Sequence, residues 1–332
     1  MKRRNFIKAV TGAVVMTQIP AGLKAQEKKC AEADGTAEAL PLRQIIKITI
    51  PVGASKPFSA LHLSDSHFTR TDERDNERKR KLSAKRLKIF PKAEQYFEGA
   101  LQYAKKKDML ILHTGDMIDF VSEANLEYVK SRLQGVDFFV AAGNHEYSQY
   151  VGEAKEDEAY KAQTFDMVQS AYPNDLRFAS RVINGVNFVA IDDVYYYFAK
   201  EHKELMKKEI QKGLPIVMMC HVPLYTPEYY KINMHSTKNR CANLTGAPLE
   251  CTETYECKPE RPVDEQWRNR SIQQRSDKDT LEFIKWLKKQ KLIKAILCGH
   301  THGFYQGTFS PTAMQHVAGS NYNGNATEIL FI

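Results

Sequence analysis

Seven apolar runs of β type punctuate the chain, at 45–52, 58–64, 109–114, 137–142, 186–191, 215–220 and 293–298, and five of them stop at a short segment rich in Asp, Asn and His. The stops read Asp65-Ser66-His67, Gly115-Asp116-Met117-Ile118-Asp119, Gly143-Asn144-His145-Glu146, His221 and Gly299-His300-Thr301-His302. Runs without alternation, such as Met109-Leu110-Ile111-Leu112, need cover on both faces, which means a sheet sandwiched between other layers. Helical patterns at 92–107, 123–134, 153–171, 199–212 and 277–290 supply that cover and predict an α/β architecture. Polar residues that recur where strands stop mark the crevice beyond the carboxyl ends of a sheet, where loops converge without unpairing strands.

Carboxylate and amide oxygens with imidazole nitrogens form a donor set suited to Zn, Mn or Fe, and no thiolate is needed. Their number suffices for two metal ions. A lone Asp-x-His carries no information, but the ordered set of blocks from residue 60 to 302 resembles the calcineurin-like metallophosphoesterases. The resemblance implies two stacked β-sheets flanked by helices, a four-layer αββα sandwich. It implies a metal-dependent phosphoric ester hydrolase that cleaves a phosphate mono- or diester by attack of a metal-bridging hydroxide. One ion would be held by Asp65, His67, Asp116 and His302, the other by Asp116, Asn144, His221 and His300. Asp116 would bridge through its two oxygens, next to Gly115, which allows close backbone approach. His300 and His302 would project to one side from extended backbone. His145, by the same resemblance, is no ligand and faces the leaving group as general acid or charge stabiliser. Asp119 and Glu146 would orient imidazoles or a lid. The alternatives are a nuclease or nucleotidase of the same fold, or a non-catalytic metal-dependent binding protein.

The N-terminus reads as an address. Lys2, Arg3, Arg4 and Lys8 precede an apolar stretch too short for a comfortable membrane span, with Ala25 at an expected cleavage site. Arg3-Arg4-Asn5-Phe6-Ile7-Lys8 resembles a twin-arginine export signal, so residues 1–25 are expected to be a signal peptide, 26–43 a polar linker and 44–332 the phosphoesterase domain of a periplasmic or otherwise extracytoplasmic protein. An uncleaved N-terminal anchor is the alternative. Without residues 1–25 the chain keeps 43 basic against 40 acidic residues, a formal charge of +3 in place of +8. That near-neutral balance favours a small phosphoester over a nucleic-acid partner.

Of six cysteines, Cys220 and Cys298 lie in apolar runs and read as buried small hydrophobes. Cys30, Cys241, Cys251 and Cys257 lie in polar segments and are disulfide candidates in an exported protein. The stretch 225–276 has little periodicity and starts just after His221, so it is expected to form a lid or specificity cap, or else a solvated insertion. His62 and His113 fall inside strands and read as hydrogen-bonded core histidines; His202 reads as solvated on a surface helix, and His235 and His316 are left without a role. The basic run from Arg78 to Lys88 reads as a solvated helical face, with a minority reading that sets one arginine near the phosphate. Tyr195-Tyr196-Tyr197-Phe198 reads as aromatic packing at the rim, and residues 304–332 as a closing antiparallel element.

Overall fold

Strands that are apolar at every position need cover on both faces, and here each gets helices on one side and a second sheet on the other. The computed structural model describes residues 37–152, 157–237, 242–249 and 275–332. With strands numbered along the chain, one sheet runs β1 (Gln44–Ile50), β11 (Asn325–Phe331), β2 (Phe58–Leu63), β3 (Leu110–His113), β4 (Phe138–Val140). The other runs β5 (Phe178–Ile183), β6 (Val186–Ile191), β7 (Ile216–Met219), β8 (Ile293–Cys298), β10 (Ala313–Val317), β9 (Tyr305–Ser310). Ala60, Leu112, Phe188, Val217, Leu297 and Phe331 belong to the core between the sheets. The helices α2 (Ala93–Lys106) and α3 (Glu123–Leu133) cover the first sheet with Phe97, Ala100, Leu126 and Val129. The helix α6 (Lys200–Gln211) covers the second with Met206, joined by a helix at Lys278–Leu287 with Phe283 and Leu287. The four-layer αββα sandwich is therefore the fold.

Helix boundaries follow capping chemistry. Ser122 and Asp277 accept from the backbone N–H groups of Asn125 and Thr280, and Asn76 does the same for Lys79 at the start of α1 (Glu77–Leu87). α2 buries Ala93, Tyr96, Phe97, Ala100 and Ala104, the spacing of one helical face.

Two expectations fail, and two elements carry no sequence signal that predicts them. The pattern at 153–171 is not one helix: α4 (Glu158–Ala162) and α5 (Phe165–Gln169) are separate turns, while 153–156 lie outside the described residues. β5 was unread because it is an edge strand with alternating, half-exposed residues. The C-terminal stretch is not one antiparallel closure, since β10 pairs parallel with β8, and β11 crosses to the other sheet between β1 and β2. Inside 225–276, a helix α7 (Pro227–Ser236) forms behind the Thr226 cap, burying Tyr229 and Met234; the Lys278–Leu287 helix is accordingly α8. Periodicity misses α7 because only two apolar side chains point inward.

The last residues of the expected linker are held in place: Leu40 N–H donates to Gln95 O (2.9 Å) and Arg43 N–H to Gly324 O (2.8 Å). Gly99 lets this segment cross α2, since a Cβ there would lie 1.8 Å from Leu40 O. Residues 1–36, and with them the stretch expected to be a signal peptide and Cys30, lie outside the described residues, as do Cys241, Cys251 and Cys257. Cys220 and Cys298 are buried free thiols. No described helix is long and apolar enough to cross a membrane.

Two histidines sit in the layer between the sheets. His62 follows Ala60 on the same face of β2, and His316 is the register partner of Leu297. His62 Nε2 meets Thr114 Oγ1 at 3.0 Å, whereas both ring nitrogens of His316 find no hydrogen-bond partner among the described residues. Burial pushes His62 down from 6.5 to about 3 and His316 to about 4. Both are neutral when folded, while the unfolded chain takes up their protons near pH 6.5. Stability is thus complete above that pH and is lost as pH falls toward the folded values, by about 1.4 kcal/mol per pH unit for each histidine. His316→Met removes one such proton and no hydrogen bond, so denaturant unfolding across this window should show a shallower pH slope by about that amount. Equal slopes would contradict the assignment.

Candidate metal centre

The carboxyl ends of β2, β3, β7 and β8 meet at one point, because the loops that leave them bond to each other across the two sheets. His300 N–H donates to Asp65 Oδ2 (3.0 Å), and His221 Nδ1–H donates to Thr114 O (2.7 Å). Gly299 makes this possible: a Cβ there would lie 1.7 Å from Ser64 Oγ. Gly115 and Gly143 likewise pack backbone to backbone, at 2.5 Å from a Gly115 Cβ to Gly143 N.

Two groups of donors result. In one, His302 Nε2 lies 3.3 Å from Asp65 Oδ1 and 3.3 Å from His67 Nε2, with Asp116 Oδ2 3.8 Å from His67 Nε2. In the other, His221 Nε2 lies 3.2 Å from Asp116 Oδ2 and 3.2 Å from His300 Nδ1. Bonds of about 2.0–2.2 Å to one ion separate its ligands by about 3.0–3.5 Å, so these spacings suit a cation. Asn144 Oδ1 is a buried acceptor without a hydrogen-bond partner among the described residues, and buried Asp65 Oδ1 meets imidazole nitrogens at 3.3 and 3.8 Å, settings that a cation would complete. The structure brings together Asp65, His67, Asp116, His221, His300 and His302, with Asn144 on the next loop, a 3₁₀ turn (Asn144–Tyr147).

Each imidazole turns one nitrogen inward because the other is occupied. His67 Nδ1–H donates to Asp119 Oδ1 (3.0 Å) and His221 Nδ1–H to the Thr114 carbonyl, which leaves a lone pair on each inward Nε2 of the neutral ring. His300 Nε2 meets the Tyr196 hydroxyl (3.1 Å), and His302 Nδ1 meets that of Tyr322 (3.2 Å). Burial alone would lower His221, but Asp116 and Asp65 outweigh it and push its pKa up to about 10. A proton is thereby drawn to the edge between His221 Nε2 and Asp116 Oδ2, where a metal ion would compete for the same lone pairs. Burial favours neutral Asp65, yet His302 and His221 hold its carboxyl well below the usual range.

The backbone corrects one expectation. His300 and His302 are not extended but left-handed, at φ 68 and 61, and Asp65, His67 and Asp116 share that conformation at φ 54, 52 and 56. Side chains two apart therefore separate into the two donor groups through local kinks and not by strand alternation. Asp116 also differs: Oδ1 accepts from His145 N–H (2.8 Å), so the oxygen that faces both groups is Oδ2 alone.

Asp119 and Glu146 do different work. Asp119 accepts from His67 and from Arg86, whose Nε and Nη2 lie at 2.6 and 2.7 Å, while its carbonyl accepts from His145 Nδ1–H (2.7 Å). Burial would raise the Asp119 pKa; Arg86 and His67 keep it well below the usual range. Glu146 is hydrogen-bonded to no imidazole among the described residues. Its carboxylate accepts from the backbone N–H groups of Asp116 (2.7 Å), Met117 (2.7 Å) and Gly143 (2.6 Å) and from Tyr172 (3.0 Å), clamping the two glycine loops together.

Sequence reasoning missed Arg86, Tyr196, Tyr322 and Asp193. Within the basic run, Arg86 grips Asp119. Tyr196 bonds a ring nitrogen where packing alone was expected. Asp193 accepts from the N–H groups of His221 (2.9 Å) and Val222 (3.0 Å), with burial raising its pKa to about 7. Its position just after β6 was the available signal. His202 is buried, accepting from Ala199 N–H (3.2 Å), where solvation was expected, because α6 turns that residue toward the sheet. His113 is a hydrogen-bonded core histidine, with Nε2 3.0 Å from Ser66 Oγ.

A sequence profile described as calcineurin-like phosphoesterase matches residues 58–304. No curated protein matches the chain. Among solved structures, a dimetal phosphatase from Danio rerio is 13% identical, covers 82% of this chain and 89% of its own, and has a TM-score of 0.42. Phosphopantetheinyl hydrolase from Mycobacterium tuberculosis is 10% identical over 80% of this chain and 90% of its own, with a TM-score of 0.38. A 5'-nucleotidase from Candida albicans is 10% identical over 86% of this chain, which spans only 47% of that protein, with a TM-score of 0.37.

Asp116→Asn should lower the metal-to-protein ratio of purified protein, read by elemental analysis; an undiminished ratio would remove Asp116 from between the two groups. Arg86→Met frees Asp119 and should weaken metal binding by about 10–100-fold without changing the far-ultraviolet circular dichroism. Titration calorimetry that found wild-type affinity would show the Arg86 contact to be idle.

Proposed function

The chain belongs to the calcineurin-like phosphoesterase family, and on that premise we propose an exported dinuclear-metal phosphoesterase that hydrolyses a small phosphate mono- or diester. The observation that carries this reading is the convergence of Asp65, His67, Asp116, His221, His300 and His302 into two donor groups at ligand spacing. Asp65, His67, Asp116 and His302 would hold one ion, and Asp116, Asn144, His221 and His300 the other. Two divalent ions, when bound, polarise the phosphoryl group and bring the pKa of water toward neutrality.

The chain itself handles the leaving group. His145 donates Nδ1–H to the Asp119 carbonyl, so its Nε2 is the nitrogen left to carry a proton to the departing oxygen. The Asp119 carboxylate lies 3.5 Å from His145 Nδ1 and, with the carbonyl, fixes the ring's orientation. His145 and His302 keep 17% and 38% of their side chains exposed, so substrate reaches the centre from their side. We read residues 225–237, the start of the insertion, as the edge of a cap at that entrance: Tyr229, on α7, bonds Thr301 between the two histidines of Gly-His-x-His (2.6 Å), while 238–241 and 250–274 lie outside the described residues. Export is supported by the paired arginines and the apolar stretch after them.

His145→Ala should keep its metal and lose about two to four orders of magnitude in turnover. Nitrophenyl phosphate and its bis-nitrophenyl diester, assayed side by side on wild type and variant, give the measurement and separate mono- from diesterase. Unchanged turnover would exclude His145, and cleavage of DNA alone would overturn the small-substrate reading.

A further inference from the structure

Helix α1 buries none of its residues. Of the 16 residues at 77–92, eight are Lys or Arg and only Glu77 is acidic. The face toward the protein is held by polar contacts: Lys79 Nζ donates to Val121 O (2.7 Å), Ser83 to Thr69 O, and Arg86 to Asp119. Lys85, Lys88 and Lys92 have no carboxylate partner among the described residues, and Leu87 and Ile89 between them are 52% and 50% exposed, the most exposed large apolar side chains described. Isolated exposed leucines are ordinary; two within three residues, bracketed by unpaired lysines, are not. The next residue, Phe90, stacks on His67 (centroids 4.6 Å apart, planes at 6°), so this patch borders the metal centre.

We propose that residues 77–92 dock the protein on a bilayer surface rich in anionic headgroups, with Leu87 and Ile89 entering below the headgroups and Lys85, Lys88 and Lys92 meeting phosphates. Charge complementarity alone would also suit nucleic acid, but Leu and Ile add nothing to phosphate contacts and cannot stack on bases. A lipid surface uses both kinds of side chain at once. The docking face lies beside the proposed catalytic centre but does not depend on turnover.

The test is co-sedimentation of the full chain with phosphatidylglycerol–phosphatidylcholine vesicles against phosphatidylcholine alone. Binding to the anionic vesicles only, weakened by salt, is expected. Lys85→Gln with Lys88→Gln should reduce partitioning by about fivefold per lysine, and Leu87→Ser with Ile89→Ser by about tenfold. Every variant keeps the same N-terminus, so a loss is attributable to 77–92, and unchanged hydrolysis of soluble nitrophenyl phosphate would show that the fold is intact. Absence of anionic-vesicle binding, wild-type partitioning in both variants, or preferential binding of a single-stranded oligonucleotide untouched by the Leu87 and Ile89 changes would each overturn the proposal. Vesicle binding that survives without any phosphoesterase activity would leave this inference standing while the catalytic reading fell.

Discussion

Four imidazoles can offer lone pairs to one small volume only if their other nitrogens are held elsewhere, and that requirement organises this protein. The holders come from three stretches of chain: the Asp119 carboxylate for His67 and the Thr114 carbonyl for His221 from the loop after β3, the Tyr196 hydroxyl for His300 and the Tyr322 hydroxyl for His302. Rings fixed in this way cannot turn away from the buried carboxylates of Asp65 and Asp116. Concentrating that much negative charge and lone-pair density in a dry site is unfavourable until cations or protons neutralise it. The strongly raised pKa of His221, at about 10, is the same demand met by a proton.

Local backbone strain accompanies this arrangement. Asp65, His67, Asp116, His300 and His302 all adopt left-handed backbone, which costs of the order of 1–3 kcal/mol per residue outside glycine. The surroundings over-determine each turn. Glu146 gathers the backbone amides of both glycine loops, Asp193 gathers those of His221 and Val222, and Asp65 itself caps the amide of His300. Gly299 lets loops from the two sheets approach more closely than any Cβ would permit, and Gly115 and Gly143 do the same for neighbouring loops of one sheet. The rigidity of the four-layer sandwich thus holds the strained turns in place, and α1, which contributes no apolar side chain, is joined to them through Arg86.

Much of this was legible in the chain. Continuous apolar strands with Asp, Asn and His at their ends announced both the layered α/β fold and the crevice where donors gather, because burial and strand polarity act within a few residues. Seven strands were read close to their observed limits, as with 186–191 and 293–298. What failed was non-local. β11 reads as one more C-terminal β-run, and nothing in its residues says that it pairs with β1 and β2 of the other sheet. α7 hides because its stability comes from a Thr226 cap and two inward side chains. His202 looks like any helical histidine until the helix's facing is known.

The sequence alone determined which atoms are available to bind metal, since ligand chemistry belongs to residue types, and where along the strands they occur. The resemblance already implied how those atoms divide into two groups; only the tertiary structure decided that Asp116 faces both through a single oxygen and that Arg86, Tyr196, Tyr322 and Asp193 hold the arrangement. The reason is physical: a donor's identity is covalent, whereas its direction is set by contacts between segments that are distant in sequence and meet only after both sheets have packed.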